Sequence, residues 1–434
     1  MRINVITLGC SKNVVDSEAV GGRLRAAGCT LYFDSQRRDC DVVIVNTCGF
    51  IAAAKAESID VLLQQAGVKQ RGRRQRRVVA AGCLVERYGD QLREELPEID
   101  AFYGAREWDK LVDDVLAFGR TLAAAPQRAP RQTAGITPRH YAFLKIAEGC
   151  DRHCSYCAIP LMRGGYVSRP MDDLVAEARQ RVGEGAQEII VIAQDTTYYG
   201  LDLYGRRMLG PLLGRLAAES GAHWVRLHYA FPTDFPTDVV QAMRRHPNIC
   251  RYIDLPLQHI NTSILRSMQR GIDREGTLRL LDHLRRELPD AALRTTLIVG
   301  YPGETQEDFE ELREFVRETR FDRLGVFAYS REEDTPAYPL GETVSEEEKR
   351  RRVDELMALQ EGISLKKNEE RVGTLCEVLI DRKEGDVYVG RTQYDSPEVD
   401  DEVLVRSDRP LRAGRFYTVR IIGAYEHDLV AVLE

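Results

Sequence analysis

Short apolar runs alternate with helical patterns of apolar residues along the first 118 positions. The apolar runs predict strands at 2–8, 42–46 and 77–81. The helical patterns follow at 14–27, 52–65, 85–96 and 107–118. Because strands that alternate with helices usually pair in parallel, we expect residues 1–118 to form an α/β domain with an open parallel sheet.

A change of pattern separates this domain from a second one. Residues 119–135 are rich in Ala, Pro, Arg, Gln and Thr without an apolar period, which is typical of a linker. In residues 136–367, apolar runs again alternate with helical patterns, and strands are predicted at 141–147, 188–193, 223–229, 252–257, 293–299 and 323–329. Six β/α units in series predict a partial (β/α)6 barrel of the TIM type, whose chemistry would lie at the C-terminal ends of its strands.

The last segment, residues 368–434, contains short strand patterns with no helix between them. This predicts a small antiparallel β-barrel, a fold that often binds a polymer. From Arg371 to Glu434 there are 9 Lys or Arg and 13 Asp or Glu, and five of these carboxylates lie between Asp395 and Glu402. An acidic barrel favours a basic partner over the phosphates of RNA.

Composition and charge narrow the class of protein. The chain has 434 residues, of which 43% are hydrophobic, and a net charge of −7, so a generally basic nucleic-acid binder is not expected. No apolar stretch approaches the roughly 20 residues of a membrane span, and the initial apolar run is too short for a signal peptide. We expect a cytoplasmic protein with reduced thiols, in which clustered cysteines indicate metal binding or catalysis.

The most specific cluster is Cys150, Cys154 and Cys157, in a loop after the first strand of the predicted barrel. Three thiols at this spacing can converge on one soft metal centre. On a four-iron cluster they would leave one iron open to a substrate or cofactor. Zinc is the alternative, but His153 lies inside the loop, where it would compete with the cysteines rather than complete a tetrahedron.

Three further cysteines, Cys10, Cys48 and Cys83, each follow a predicted parallel strand of the first domain. The carboxyl ends of parallel strands share one edge of the sheet, so these thiols should meet there. Each adjoins a glycine, which lets the backbone approach a bulky inorganic group. The sequence therefore predicts a second three-thiolate site. The other cysteines, Cys29, Cys40, Cys250 and Cys376, are expected to be small apolar fillers.

Cys150, Cys154 and Cys157, with aromatic Tyr156 before the third cysteine, resemble the motif of radical S-adenosylmethionine enzymes. Together with the three upstream cysteines and a terminal barrel that resembles a TRAM domain, the whole chain resembles the radical S-adenosylmethionine methylthiotransferases. Segments 144–150, 252–259 and 321–330 are similar to the branch that modifies an aspartate of ribosomal small-subunit protein twelve.

The resemblance implies roles for the cysteines. Cys150, Cys154 and Cys157 would hold a 4Fe–4S cluster that binds and reduces S-adenosylmethionine, which yields a 5′-deoxyadenosyl radical. Cys10, Cys48 and Cys83 would hold a second 4Fe–4S cluster that carries the sulfur. The radical would remove hydrogen from the aspartate β-carbon, and a methylthio group would take its place, with the methyl group from a second S-adenosylmethionine. A side-chain base cannot break such an unactivated bond, so cofactors must supply the chemistry.

Five residues outside the cysteines are candidates for S-adenosylmethionine binding. Tyr156 is expected to pack on the adenine, and Gln187 and Glu188 lie in a segment that resembles the family's contact for the methionine amino group. Gly300 and Gly303 lie in a strand–turn–helix segment that resembles another cofactor-facing element, although turn geometry alone also explains them. No catalytic side chain is predicted beyond the cluster ligands.

The expected partner is a basic small-subunit ribosomal protein, with an unidentified reductant protein and no membrane. From Lys69 to Arg77 the chain holds six cations in nine residues, which would suit contact with ribosomal RNA, but a solvated loop is favoured. Two alternatives stay open. One is a transfer-RNA adenosine methylthiotransferase, and the other is a non-catalytic metal-binding ribosome factor, which would carry zinc or at most one cluster.

Overall fold

The computed structural model describes residues 1–71, 76–121 and 135–434. The chain divides into two compact units. The first comprises Met1–Pro138, Glu148–Asp151 and Cys157–Tyr166, and the second comprises Arg139–Ala147, Arg152–Tyr156 and Val167–Glu434. Most of the predicted linker 119–135 and the centre of the basic run lie outside the described residues.

The first unit contains a five-stranded parallel sheet, in the order β2-β1-β3-β4-β5. Its strands are β1 (Arg2–Thr7), β2 (Thr30–Phe33), β3 (Val42–Thr47), β4 (Arg77–Gly82) and β5 (Ala101–Gly104). Its helices are α1 (Ser11–Ala26), α2 (Ala52–Arg71), α3 (Cys83–Glu95), α4 (Trp108–Thr121) and α5 (Ile159–Arg163). The predicted open parallel sheet is confirmed. The sequence pattern missed β2 and β5, the two edge strands, because four residues are too few to establish a period.

The central strand β3 explains why this sheet is covered on both faces. All six of its residues are buried. Val42 and Ile44 belong to one apolar core, and Val43 and Val45 belong to the other. An uninterrupted apolar run is typical of a parallel strand with helices on both sides.

The second unit begins with six parallel strands in two three-stranded sheets, in the orders β10-β9-β6 and β11-β12-β13. These strands are β6 (Tyr141–Lys145), β9 (Glu188–Ile192), β10 (Trp224–Leu227), β11 (Tyr252–Asp254), β12 (Ala292–Val299) and β13 (Arg323–Ala328). Two short strands, β7 (Ala147–Glu148) and β8 (Val167–Ser168), flank the cysteine loop. All six predicted strands are present, so the partial (β/α)6 architecture is confirmed.

The helices of this part are α6 (Met171–Gly183), α7 (Leu201–Tyr204), α8 (Leu209–Glu219), α9 (Thr237–Arg245), α10 (Thr262–Ser267), α11 (Arg274–Glu287), α12 (Gln306–Thr319) and α13 (Glu346–Glu369). Short 3-10 helices lie at Thr196–Tyr198 and Tyr338–Leu340.

The C-terminal strands close into a five-stranded barrel, in the order β14-β15-β16-β18-β17. They are β14 (Leu375–Glu384), β15 (Val387–Arg391), β16 (Glu402–Arg406), β17 (Phe416–Ala424) and β18 (Asp428–Leu433). The predicted small barrel is confirmed, with one difference in strand direction. β16 and β18 pair in parallel, because β17 lies on the far side of β18 and forms the antiparallel hairpin with it.

The acidic run at Asp395–Glu402 does not form the free acidic surface that the sequence predicted. Asp395 is buried and accepts a hydrogen bond from Arg323 of β13. The Asp400 side chain is 1% exposed and accepts from Tyr252 Oη at 2.7 Å and from Arg294 Nε at 3.2 Å. These carboxylates join the barrel to the six-stranded part of the same unit, so their charge gives no support for a basic partner.

Candidate metal centres and cofactor-binding residues

Cys10, Cys48 and Cys83 lie at the carboxyl edge of the first sheet. Cys48 directly follows β3, Cys83 directly follows β4 and begins α3, and Cys10 lies between β1 and α1. These three strands are neighbours in the sheet. Cys48 and Cys83 are buried, whereas Cys10 is exposed. A Cβ atom at Gly9, the neighbour of Cys10, would lie 3.0 Å from Cys48 Sγ, so these two segments lie close together.

The backbone beside these cysteines is packed too tightly for any side chain. A Cβ atom at Gly9, where φ is +93°, would lie 2.8 Å from the Cys48 Cβ. A Cβ atom at Gly49 would lie 2.9 Å from the Cys83 carbonyl oxygen. The glycines therefore let the three cysteine-bearing segments approach one another.

A network that the sequence reasoning missed surrounds Cys83. The buried Arg163 guanidinium donates from Nε to Cys83 Sγ at 3.2 Å. It also donates to Asp16 Oδ2 and to Asn13 Oδ1, both at 2.6 Å. These contacts join residues that are 80 to 150 positions apart in the chain, so no local pattern could reveal them.

Burial determines the protonation of the two inner thiols. Burial raises the pKa of Cys83 to about 12, against the opposing charge of Arg163. Burial also raises the pKa of Cys48. Both groups are neutral thiols at pH 7 without a metal, so binding of a soft metal must release their protons.

The cysteines of the second motif are divided between the two units. Cys150 and Cys157 belong to the first unit and Cys154 to the second. Cys150 is buried, and its backbone N–H donates to the Gly164 carbonyl at 3.1 Å. Cys157 is half-buried. His153, which the sequence analysis weighed as a zinc ligand, is exposed.

Within the second unit, Cys154 lies beside a fixed cation. The buried Arg270 donates from Nη1 to Cys154 Sγ and to Tyr156 Oη, both at 3.3 Å. The guanidiniums of Arg270 and Arg152 each lie 4.1 Å from the centre of the Phe231 ring. Arg270 is the second functional candidate that sequence spacing could not identify.

The donor set at the first site fits an iron–sulfur cluster. Among residues 1–71, 76–121 and 135–434, no three His, Cys, Asp or Glu side chains are arranged to hold a single metal ion. A 4Fe–4S cluster has a different geometric requirement, because each thiolate binds its own iron atom. Three soft sulfur donors on closely packed, glycine-bounded segments are suited to such a cluster.

Two of the predicted cofactor contacts, Gln187 and Glu188, lie at the N-terminal end of β9. Glu188 is the first residue of β9, is fully buried, and accepts from Arg226 Nε and Arg391 Nη1, each at 2.6 Å. Gln187 precedes it at the same N-terminal end. The five residues of β9 place this end roughly 15 Å from the carboxyl ends where the barrel chemistry is expected. Both Glu188 oxygens are used by arginines, so none is available to a methionine amino group.

The other predicted cofactor residues lie at the carboxyl ends of β12 and β13. Tyr156 packs in a cluster with Ile298, Tyr301 and Tyr329. Gly300 follows β12 with φ +74°, and its N–H donates to Glu304 Oε2 at 2.8 Å. The N–H of Gly303 donates to Thr343 Oγ1 at 2.8 Å. These contacts give both glycines a structural role in the turn, and a cofactor contact by Tyr156, Gly300 or Gly303 stays a prediction.

The ten cysteines, all within the described residues, form no disulfide bonds. Cys29, Cys40 and Cys250 pack in apolar cores, and Cys376 packs against the core of the terminal barrel. These environments agree with their interpretation as apolar fillers.

Three known families match consecutive parts of the chain. Residues 2–104 match the uncharacterized protein family UPF0004, residues 144–316 match the radical SAM superfamily, and residues 372–433 match the TRAM domain. Within the described residues, no helix is both long and apolar enough to cross a membrane.

Curated relatives match over almost the full length. The ribosomal protein uS12 methylthiotransferase RimO of Flavobacterium johnsoniae is 51% identical over 99% of this chain and 97% of its own. The protein of the same name from Bacteroides thetaiotaomicron is 47% identical over 99% of this chain and 98% of its own.

Solved structures share the fold at low sequence identity. The radical S-adenosylmethionine methyltransferase TsrM of Kitasatospora setae has a TM-score of 0.57 at 16% identity, covering 88% of this chain and 79% of TsrM. The cobalamin-dependent radical enzyme OxsB has a TM-score of 0.53 at 11% identity, covering 83% of this chain and 56% of OxsB.

Proposed function

The chain belongs to the ribosomal protein uS12 methylthiotransferase RimO family, and from this premise we propose that it methylthiolates the β-carbon of an aspartate in uS12. The observation that carries the proposal is 47–51% identity to RimO proteins along nearly the whole chain. The radical SAM match over residues 144–316 supports the reaction class. Neither a transfer-RNA substrate nor a non-catalytic metal-binding role is favoured.

In this proposal, Cys10, Cys48 and Cys83 hold the cluster that carries the sulfur. Their shared position at one sheet edge and the tight backbone at Gly9 and Gly49 support the assignment. Cys10 is the exposed member of the three, whereas Cys48 and Cys83 are buried, so solvent reaches this site at Cys10.

Cys150, Cys154 and Cys157 hold the second cluster, which binds S-adenosylmethionine. When bound, the two clusters and S-adenosylmethionine supply the hydrogen-abstracting radical, the sulfur and the methyl group. The protein orients the ligands: Arg270 fixes Cys154 and Tyr156 relative to each other through hydrogen bonds from one nitrogen. The apolar cluster around Tyr156 excludes water from that side.

The protein partner is uS12, with an electron donor of unspecified identity. The described ends of the basic run do not support contact with ribosomal RNA. Lys69 Nζ pairs with Asp100 at 2.7 Å, and the Arg77 guanidinium lies 4.2 Å from the centre of the Phe118 ring. Both cations are thus engaged within the first unit.

The test is an anaerobic incubation of the reconstituted full-length protein with uS12, S-adenosylmethionine and dithionite, followed by mass spectrometry of uS12 peptides. We expect a methylthio mass increment on one aspartate-containing peptide and formation of 5′-deoxyadenosine. Cys83→Ala should abolish the increment but leave 5′-deoxyadenosine, whereas Cys154→Ala should abolish both. Cys376→Ala is the matched control, because Cys376 lies in the terminal barrel, and it should retain both products.

Two outcomes contradict the proposal. Methylthiolation of transfer RNA with unmodified uS12 would assign the chain to the other substrate class. About one or two zinc atoms per chain, in place of roughly eight irons, would assign it to the non-catalytic alternative.

A further inference from the structure

We propose that Arg163 is a positioning residue of the Cys10–Cys48–Cys83 site, and that its fixed positive charge raises the reduction potential of the cluster bound there. The inference rests on the proposed function for the presence of that cluster. It concerns a side chain outside both cysteine motifs, six positions after Cys157.

The orientation of Arg163 is set by three partners. Nε donates to Cys83 Sγ at 3.2 Å, Nη1 donates to Asp16 Oδ2 at 2.6 Å, and Nη2 donates to Asn13 Oδ1 at 2.6 Å. Nη1 lies 3.4 Å from Glu148 Oε1 as well. A planar guanidinium can satisfy acceptors in three directions at once, whereas a lysine ammonium cannot reproduce this fork.

The helix that carries Arg163 is itself held against the Cys83 segment. Ala158, Ile159 and Met162 pack with Cys83 and Ala105 in one apolar cluster. α5 ends at Arg163, and Gly164 follows it with φ +73°. The guanidinium is therefore placed by packing on one side and by hydrogen bonds on the other.

Burial strengthens the electrostatic effect of the Arg163 charge on neighbouring groups. Its side chain is 3% exposed, and that of Asp16 is 5% exposed. Arginine stays protonated in proteins, so this charge is permanent. In a buried setting, charge–charge interactions are much stronger than in water.

The sign of the effect follows from charge. Reduction adds one electron to a cluster that already carries anionic thiolates. A cation in contact with a ligand sulfur stabilises the reduced state, and a hydrogen bond to that sulfur acts in the same direction. Asp16 opposes Arg163, because its carboxylate is the nearest negative charge to the guanidinium. Arg163 and Asp16 should thus shift the potential in opposite directions.

The test measures the midpoint potential of this cluster by potentiometric titration followed by electron paramagnetic resonance. The full-length Cys150→Ala/Cys154→Ala/Cys157→Ala protein serves as background, so that a single cluster gives the signal. In it, Arg163→Gln should lower the potential and Asp16→Asn should raise it. Arg163→Lys retains the positive charge but loses the three-way hydrogen bonding of the guanidinium. Its midpoint potential should lie between that of Arg163→Gln and that of the parent. Arg93→Gln removes a surface cation of α3 that pairs with Asp90, and it should leave the potential unchanged.

Opposite shifts for Arg163→Gln and Asp16→Asn support the proposal, since a purely structural role would not reverse the sign. Unchanged potentials, or shifts in the same direction, overturn it. If Arg163→Gln fails to load iron, Asp16→Asn still decides: a raised potential supports the proposal and any other result overturns it. Failure of the proposed function is distinguishable, because in that case the background protein would hold no cluster that Cys10→Ala, Cys48→Ala or Cys83→Ala removes.

Discussion

Arg391 Nη1 donates to Glu188 Oε2 at 2.6 Å, which joins residues 203 positions apart. Arg391 ends β15 of the terminal barrel, and Glu188 begins β9 of the six-stranded part. Arg226 donates to the other Glu188 oxygen, and Arg391 also donates to Asp381 at 2.7 Å. The side chains of Glu188, Arg226 and Arg391 are at most 2% exposed and that of Asp381 is 13% exposed, so two carboxylates and two guanidiniums form a largely buried network.

Removal of Arg391 should destabilise the second unit strongly. In Arg391→Met, the Glu188 and Asp381 carboxylates lose a buried cationic partner, which costs about 3–5 kcal/mol when a buried ion pair is broken from one side. Urea unfolding followed by circular dichroism measures the change. The control is Arg382→Met, whose partners Glu384 and Glu402 are on the surface, and which should cost about 1 kcal/mol or less. Equal effects of the two substitutions would contradict this account of the network.

The Glu188 pair also shows what the sequence could and could not predict. The parallel sheet, the six barrel strands and the terminal barrel follow from periodicity, since local patterns determine which segments become strands. The partners of Glu188 and of Asp395–Glu402 depend on contacts between distant segments. The family resemblance had assigned Glu188 to the cofactor, and the charge count had assigned the acidic run to a surface for a basic partner. The same limit hid Arg163 and Arg270, because an isolated arginine has no spacing signal.

Tyr156, which packs with residues at the carboxyl ends of β12 and β13, and Gln187, which precedes β9, predict different effects on S-adenosylmethionine binding. Tyr156→Ala should raise the KM for S-adenosylmethionine by roughly tenfold, equivalent to about 1.4 kcal/mol, because an aromatic surface at the carboxyl end is lost. Gln187→Ala should leave this KM unchanged, since Gln187 lies at the N-terminal end. Formation of 5′-deoxyadenosine against S-adenosylmethionine concentration measures both constants. A raised KM in Gln187→Ala, with that in Tyr156→Ala unchanged, would reverse the placement of the cofactor.

Asp401 should make folding stability depend on pH. Burial, reinforced by Asp395 and Asp400 and opposed by Arg323, raises the pKa of Asp401 to about 7. Between pH 4 and 7 the folded chain therefore holds a proton that the unfolded chain has released. The Asp401 contribution to stability is full below pH 4 and is lost as pH rises through 7. A pKa change from 3.8 to about 7 corresponds to at most about 4 kcal/mol.

Asp401→Asn tests this dependence, because an amide cannot ionise. Urea midpoints at pH 5 and pH 8 should differ less in the variant than in the parent, with the variant gaining stability at pH 8. Asp408→Asn makes the same chemical change at an exposed position of the barrel and should keep the parental difference. If Asp401→Asn also keeps the parental difference between the two urea midpoints, the Asp401 carboxylate does not titrate between pH 5 and pH 8.

Gly49→Ala should disrupt the first cysteine site through packing alone. The added Cβ would lie 2.8 Å from Leu84 Cα and 2.9 Å from the Cys83 carbonyl oxygen, and neither backbone atom can move without displacing the start of α3. Overpacking of this kind lowers the free energy of unfolding by about 1–3 kcal/mol. Displacement of Cys83 should reduce the iron content after reconstitution from roughly eight to roughly four atoms per chain, as counted with acid-labile sulfide.

Gly67→Ala in α2 is the control, because its Cβ would have no atom within 4 Å. Since alanine is the better helix former, this substitution should increase the free energy of unfolding by about 0.5–1 kcal/mol and leave the iron content unchanged. Full iron content in Gly49→Ala would show that the cluster does not require the close approach of the Cys48 and Cys83 segments.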